Sequence, residues 1–209
     1  DASVSVPPAV ITLTQATNNV GTLAGSILES GDSFSYGDAD GLTIGSVLGT
    51  LGVTTAGGNI TITTPGALTV SQAVSSGAGA ITLNVNGGTL TNNNTITSSG
   101  TGNSITVQST GSFGLAGTGT FSQTNGSPGT TRFLASIAGN AITLSASTAQ
   151  TVSGGGAITI STPSLVFGSG SSLSASGASA ITVDTGGVAT GLTITSPDGS
   201  TAGTLGTTG

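Results

Sequence analysis

One tripeptide, an apolar residue followed by threonine and a second apolar residue, recurs along the whole 209-residue chain. In a β-strand this alternation places the apolar side chains on one face and the threonine on the other. Glycine-rich turns such as Gly57-Gly58 and Gly87-Gly88 follow the tripeptides, so the sequence predicts many short strands. The tripeptides begin at Ile11, Leu42, Ile60, Leu68, Ile81, Ile105, Ile142, Ile158, Ile181 and Leu192.

The spacing of the main tripeptides predicts how the strands assemble. From Ile60 the starts step by 21 residues to Ile81 and by 24 to Ile105, then by 37 to Ile142. A step of about 20 residues suits one coil of a solenoid, in which each coil stacks on its neighbours. We therefore expect an all-β fold, a parallel β-helix (β-solenoid) with short strands and Gly-rich turns, and the long step predicts an insertion near residues 110–132.

A β-sandwich is the alternative fold. One or two sandwich domains could expose a sheet edge that accepts a strand from a neighbouring molecule, with residues 1–14 as the donated strand. The extended Pro7-Pro8 lead-in suits donation, whereas the stepped repeat favours the solenoid. On the solenoid interpretation, residues 1–57 are a more acidic lead-in with the first coils, and residues 58–209 are solenoid repeats.

The composition excludes several classes of function. The chain has one basic residue, Arg132, against seven acids, and it has no His and no Cys. A single cation cannot neutralise a phosphate backbone, so we expect no nucleic-acid partner. The usual ligands of zinc, copper and iron are missing. No apolar run approaches the ~18 residues of a membrane span, so we expect no membrane insertion.

The acidic residues gather near the amino terminus. Asp32, Asp38 and Asp40 could bind Ca²⁺ through several carboxylate oxygens, although the spacing of a calcium loop is missing. Alternatively, these carboxylates cap turns by accepting bonds from backbone amides, which is the simpler interpretation. A polysaccharide-active enzyme would need two carboxylates about 5–9.5 Å apart. Because neither His nor Lys accompanies these residues, we expect no enzymatic activity and no cofactor besides a possible Ca²⁺.

Two further features, the threonine rows and the aromatic residues, each allow a functional and a structural interpretation. Rows of threonine could present regular hydroxyls to ice, but threonine is also a favourable outward residue of any strand. Phe34, Tyr36, Phe113 and Phe121 could stack on sugars, although we expect them to fill the core. The threonine rows are Thr61-x-Thr63, Thr95-x-Thr97 and Thr193-x-Thr195.

Three segments carry a family resemblance: Gly21-Thr22-Leu23-Ala24-Gly25, Phe34-Ser35-Tyr36-Gly37-Asp38-Ala39-Asp40-Gly41-Leu42-Thr43-Ile44-Gly45 and Ala56-Gly57-Gly58-Asn59-Ile60-Thr61-Ile62. Together they resemble repeat units of very large bacterial surface proteins of the filamentous-haemagglutinin and autotransporter-adhesin kind. The resemblance implies a right-handed parallel β-helix, secretion across the outer membrane, and a role in adhesion or in a matrix. It supplies no catalytic residues.

The sequence therefore predicts a non-enzymatic structural or adhesive protein at the bacterial cell surface, outside the cell. Its expected partners are copies of itself or adjoining repeats of a longer chain, and possible host or surface glycans. The alternative is a subunit of a self-assembling extracellular filament, such as a matrix, biofilm or pilus-like fibre. Ice binding and action on polysaccharides are the less favoured alternatives.

Overall fold

The computed structural model describes residues 8–102, 104–124, 129–135, 140–153, 157–176, 181–184, 193–195 and 204–208. Within these residues the chain forms 26 β-strands and no helix. In chain order the strands are β1 (Val10–Leu13), β2 (Thr22–Leu23), β3 (Gly25–Ser30), β4 (Ser33–Gly37), β5 (Leu42–Ile44), β6 (Ser46–Val47), β7 (Thr50–Leu51), β8 (Val53–Ala56), β9 (Ile60–Thr64), β10 (Leu68–Val70), β11 (Val74–Ser75), β12 (Ile81–Val85), β13 (Thr89–Asn92), β14 (Thr95–Ser98), β15 (Ile105–Gln108), β16 (Phe113–Ala116), β17 (Thr120–Gln123), β18 (Thr130–Leu134), β19 (Ile142–Leu144), β20 (Ala149–Ser153), β21 (Ala157–Ser161), β22 (Ser164–Phe167), β23 (Ser172–Ser176), β24 (Ile181–Asp184), β25 (Thr193–Thr195) and β26 (Thr204–Thr208).

The strands build three parallel sheets of eight strands each, and the chain visits the sheets in turn. The first sheet has the order β1-β4-β9-β12-β15-β18-β21-β24 and the second β2-β5-β10-β13-β16-β19-β22-β25. The third sheet runs from β3 through β8, β11, β14, β17, β20 and β23 to β26. One strand from each sheet makes a coil, so the fold is a three-sided parallel β-solenoid and the predicted fold class is confirmed.

The sandwich alternative is wrong, because the long sheets pair in parallel throughout and hairpin-joined strands cannot do so. In the described part of the chain, antiparallel pairing occurs only between the two-residue strands β6 and β7. β1 lies within the segment expected to be donated, yet it pairs with β4 of its own chain. The first sheet also continues across residue 57, the end of the expected lead-in, because β4 before that residue pairs with β9 after it.

The repeated tripeptide explains how the coils stack. In β12, Ile81 and Leu83 are fully buried and Thr82 between them is half-buried. Ile81 pairs in register with Ile60 on one side and with Ile105 on the other. Each inward residue therefore packs between similar apolar side chains of the coils before and after it, and the columns fill the interior.

The insertion expected near residues 110–132 is absent from the described residues of that segment, which form ordinary strands β16, β17 and part of β18. The register partner of Ile105 is Thr131, whereas Ile142 belongs to the second sheet. The long step between Ile105 and Ile142 therefore connects strands of two different sheets and does not measure the length of one coil. Within the first sheet, registered residues from Phe34 to Ile181 are separated by 21 to 27 residues.

The tripeptide pattern does not identify β18, because the polar residue Thr131 stands there between Ile105 and Ile158 of the neighbouring coils. Thr131 is fully buried, and its Oγ1 accepts a 2.8 Å hydrogen bond from Gln123 Nε2. Gln123 Oε1 in turn accepts a bond from the buried Ser104 hydroxyl. This internal network satisfies polar groups whose burial would otherwise be costly.

A second internal network joins three successive coils. Asn92 Nδ2 donates a 3.1 Å bond to Gln150 Oε1, and Gln150 Nε2 donates to the carbonyls of Asn92 and Ala116. Asn92 lies in β13, Ala116 in β16 and Gln150 in β20. Because buried bonds of this kind are lost if one coil slips against another, they fix the register of the stack.

Candidate functional site

Asp32, Asp38 and Asp40 occupy the turns on either side of β4. Asp38 is buried, and its Oδ2 accepts a 2.9 Å bond from the Tyr36 hydroxyl and a 3.2 Å bond from the Val20 N–H. Its Oδ1 accepts a 3.2 Å bond from the Asp40 N–H. The Asp38 carboxylate therefore ties the loop of the first coil to the second coil.

Burial and hydrogen bonding act in opposite directions on Asp38. Burial raises the pKa of its carboxyl group, but the bonds from Val20, Asp40 and Tyr36 favour the anion and leave the pKa below its ordinary value. Burial, the hydrogen bond to Asp38 and the negative charges of Asp38 and Asp40 raise the pKa of Tyr36 to about 12. Asp38 is thus an anion held as a structural acceptor at neutral pH.

The structure does not bring Asp32, Asp38 and Asp40 together as one calcium site. Asp32 precedes β4, whose five residues separate it from Asp38 by about 20 Å at ~3.3 Å per residue. Asp32 Oδ1 accepts a bond from the Ala9 N–H, and Asp40 Oδ2 accepts one from Asn19 Nδ2. Among the described residues no group of three or more His, Cys, Asp or Glu side chains could hold a metal ion. The carboxylates accept bonds in separate turns, which is the arrangement that the capping interpretation describes.

Hydroxyl groups form columns on the outer faces, as outward threonines predict. Thr61, Thr82 and Thr106 lie in register on the first sheet. The neighbouring position changes from Thr63 to Asn84 and then to Gln108, so the hydroxyl column there gives way to amides. Thr95 and Thr97 pair with Thr120 and Ser122, while Thr193 pairs with Ser164. On the first sheet, the two parallel rows that an ice-binding face would need do not continue.

A corner groove runs where the first sheet turns into the second. Two concavities, each of about 350 Å³, share Thr63 and Asn86 in their linings. One extends past Asn84, Gln108 and Thr110 to Leu134, and the other extends past Pro65 and Gly37 to Thr14. We use the term corner groove for these two adjoining concavities, which together reach from the end of β1 to β18.

Three amide side chains, Asn84, Asn86 and Gln108, lie in the lining of the corner groove and take part in its hydrogen bonds. Gln108 Nε2 donates a 2.8 Å bond to Asn84 Oδ1, and Asn84 Nδ2 donates a 2.8 Å bond to Thr63 Oγ1. Asn86 Oδ1 accepts bonds from the backbone N–H and the hydroxyl of Thr110. The side chains that could hold a polar ligand are therefore already positioned by one another.

Sequence reasoning missed this site, although a signal for it exists. Asn84 and Gln108 each stand two residues after the threonine of a tripeptide, so alternation places them on the same outer face as that threonine. The parallel register of β9, β12 and β15 then places Thr63, Asn84 and Gln108 side by side. Only the true sheet assignment brings Thr14 and Leu134 to the same corner.

The aromatic residues lie in the core, as expected. Phe34, Tyr36, Phe113 and Phe121 are all at most 6% exposed. Phe121 meets Phe133 edge to face, with ring centroids 5.3 Å apart. Arg132 lies on the outer face of β18, half-buried, in register with Thr106 and Thr159.

Exposed apolar side chains are concentrated in the first two coils. Among the described residues, all eight large hydrophobic side chains that are exposed lie between residues 10 and 51. Three of them belong to the hairpin of β6 and β7, where Leu48 is fully exposed with a φ of 48°. The full set is Val10, Ile11, Leu13, Val20, Leu28, Val47, Leu48 and Leu51.

Comparison of the chain with protein-family models, with curated proteins and with solved structures gives no significant match. The described residues contain no helix with the length and hydropathy required to cross a membrane.

Proposed function

We propose that this chain is a non-enzymatic structural and adhesive segment of a bacterial cell-surface protein, acting outside the cell. The observation that carries the proposal is the uninterrupted stack of three parallel eight-stranded sheets. Seven steps of about 4.8 Å between neighbouring strands give a stiff stack about 34 Å long. Such a stack supplies reach and surface area, which adhesion needs and which catalysis does not require.

The outer surface supports the same proposal. Hydroxyls and amides line the outer faces of β9, β12 and β15, and the chain carries eight charged residues in 209. The resemblance of the first coils to haemagglutinin-like and autotransporter-adhesin repeats agrees with this proposal. Adhesion through many weak polar contacts is consistent with a surface of this kind, because multivalency raises avidity without a single strong site.

Retention of coated beads under flow tests the adhesive function. Beads carrying the chain are passed over cultured host cells and over abiotic surfaces. The control is the Ile62→Asp/Leu83→Asp variant, which places two charges in the core and should not fold. We expect beads with the native chain to be retained and beads with the variant to be washed away. Equal retention of both would contradict the proposal.

A second candidate function, a self-assembling filament subunit, is favoured by the exposed apolar side chains of the first coils. Ile11 and Leu13 continue the inward columns of the first sheet, yet they are 43% and 48% exposed. A further coil stacked on β1 would cover them. End-to-end assembly of copies would supply such a coil.

Negative-stain electron microscopy across a concentration series tests assembly. The filament function predicts long uniform fibres that become rarer in the Ile11→Ser/Leu13→Ser variant. The matched control is Thr12→Ser, which changes an outward residue of the same strand. Isolated short rods at every concentration would reject the filament function and leave the adhesive segment standing.

A further inference from the structure

We propose that the corner groove binds a neutral oligosaccharide laid along the stacking direction of the coils. The inference rests on the proposed adhesive function only for its biological purpose, since it concerns one site and one class of ligand. Its basis is the shape of the groove, the hydrogen-bonding character of its lining and the repeat of the coils.

The dimensions of the groove suit an extended chain rather than a compact ligand. Each of the two concavities holds about 350 Å³, within the range of ligand pockets, and Thr63 and Asn86 lie in the lining of both. The groove crosses six strands of the first sheet, so five steps of ~4.8 Å make it about 24 Å long. One pyranose unit of an extended chain advances by a similar distance, so successive sugars can meet successive coils.

The lining offers donors and acceptors together, as sugar hydroxyls require. A primary amide carries two N–H donors and a carbonyl acceptor. Within the described hydrogen bonds, Gln108 and Asn84 each use one N–H, on Asn84 and Thr63 respectively. The Ser109 hydroxyl accepts bonds from the N–H groups of Gly87 and Gly111, and the Thr110 hydroxyl donates to Asn86 Oδ1. The second N–H of each amide, the Ser109 hydroxyl proton and the Thr110 hydroxyl oxygen can therefore serve a ligand without disturbing these bonds.

Positioning by the column also lowers the entropic cost of binding. Gln108 and Asn84 are half-buried, and their mutual hydrogen bond restrains both side chains before a ligand arrives. Immobilising a free side chain costs roughly 0.5–1.5 kcal/mol, so restraint in the unbound state favours binding.

The apolar and the charged side chains of the lining restrict the class of ligand further. Pro65 and Leu134 lie in the lining and can pack against the C–H faces of pyranose rings. Among the described residues of the two linings, Asp38 is the only one with a charged side chain, and its carboxylate is buried and already accepts three hydrogen bonds. An acidic polysaccharide would need cations that these linings do not contain, so the ligand is assigned as neutral.

Calorimetric titration tests this assignment on the full chain. The neutral probes are cellohexaose and chitohexaose, and the acidic probe is hexagalacturonate. We expect saturable binding of at least one neutral probe at or below about 1 mM. Asn84→Ala and Gln108→Glu should each weaken that binding roughly 3- to 10-fold, since each removes one or two hydrogen bonds.

Two controls separate binding from folding. Gln72→Ala removes an amide from a different part of the coil, after β10, and should leave binding unchanged. Gln108→Glu keeps the size of a half-buried side chain, so its unfolding temperature should stay close to that of the native chain. Loss of binding by this folded variant supports the site directly.

Three outcomes would overturn the proposal. They are the absence of neutral-probe binding by the folded chain, binding that Asn84→Ala and Gln108→Glu leave intact, and preference for the acidic probe. The bead assay distinguishes these failures from failure of the proposed function. If beads with Gln108→Glu adhere as well as beads with the native chain, the groove has no part in adhesion, but the proposed adhesive function stands. If the probe binds but the beads are not retained, the groove site stands and the adhesive function is rejected.

Discussion

The first coil and the fourth coil use the same tripeptide and bury it to very different extents. Ile81 and Leu83 in the fourth coil are fully buried, whereas Ile11 and Leu13 in the first are 43% and 48% exposed. β12 pairs with a strand on each side, while β1 pairs only with β4 among the described strands. Burial in this fold is therefore set by position in the stack, since the local sequence is nearly the same.

The two regions also differ in what holds their coils together. The middle coils are joined by apolar columns and by the buried amides of Asn92 and Gln150. The first two coils rely more on polar bonds, in which the Asp38 carboxylate receives the Val20 N–H of the first coil. Where packing on both sides is missing, an ion held by fixed donors supplies part of the connection.

The largest effect on stability should come from truncating an inward side chain of one column, and its size should depend on the coil in which that side chain lies. Leu13, Tyr36, Ile62 and Leu83 occupy successive positions of that column. Leu83→Ala should lower the free energy of unfolding by about 2–5 kcal/mol, because it leaves a cavity in a packed core. Leu13→Ala should cost about 1 kcal/mol or less, because half of its surface is already in water.

Chemical denaturation followed by far-ultraviolet circular dichroism measures both variants. Equal losses for Leu83→Ala and Leu13→Ala would mean that position in the stack does not set burial energy. Tyr36 is the only tyrosine and no tryptophan is present, so its fluorescence reports the second coil separately.

A smaller loss is expected from filling the space between two coils at a corner. A Cβ on Gly88 would lie 2.0 Å from the carbonyl oxygen of Gly66 in the coil before it, so the coils would have to part. Gly88→Ala should cost about 1–3 kcal/mol. Gly21 has no atom within 4 Å of the same position and serves as the control. An equal effect of both substitutions on thermal unfolding would show that close stacking at the corner does not matter.

The acidic anchor of the first coils should make them sensitive to pH. The pKa of Asp38 is lowered by folding, so its stabilising contribution is complete above the ordinary value of 3.8 and is lost as the pH falls below it. We expect a loss of about 1.5–3 kcal/mol, typical of hydrogen bonds to a charged group. Tyr36 fluorescence should change in acid before the circular dichroism does, and Asp38→Asn should abolish that difference.

The alkaline limit of the same pair has the opposite sign. Because folding raises the pKa of Tyr36 to about 12, the neutral phenol stabilises the fold fully below its ordinary value of 10.0. This contribution is lost as the pH rises from 10 towards 12. Spectrophotometric titration of the single tyrosine should therefore give a midpoint near 12, and a midpoint near 10 would show that Tyr36 is neither buried nor held against Asp38.

The sequence predicts the strand motif and the parallel stack, because alternation and spacing are local properties of the chain. It does not assign strands to sheets, since Leu42-Thr43-Ile44 of the second sheet and Ile60-Thr61-Ile62 of the first follow one pattern. The pattern does not identify β18, because Thr131 takes the place of an apolar residue and its internal hydrogen bond with Gln123 replaces apolar packing. The corner groove was missed for the same reason, as it depends on residues from six coils that only register brings together.

The smallest effect concerns the hairpin that distinguishes the second coil from the middle coils. Leu48 and Gly49 both have positive φ, 48° and 87°, as a tight two-residue hairpin turn requires. This conformation suits glycine and is strained for leucine, and the fully exposed Leu48 side chain gains no burial within the chain.

Leu48→Gly should therefore leave the stability of the isolated chain unchanged or raise it by up to about 1 kcal/mol. The Val47→Gly control, at an ordinary strand position, should lower it slightly because glycine weakens a strand. Thermal unfolding at low protein concentration measures both. A clear loss for Leu48→Gly would show that the hairpin tip packs against the chain itself. In that case Leu48 would no longer count among the exposed apolar side chains of the first coils. The contrast with the middle coils would then depend on β1, which pairs only with β4 among the described strands.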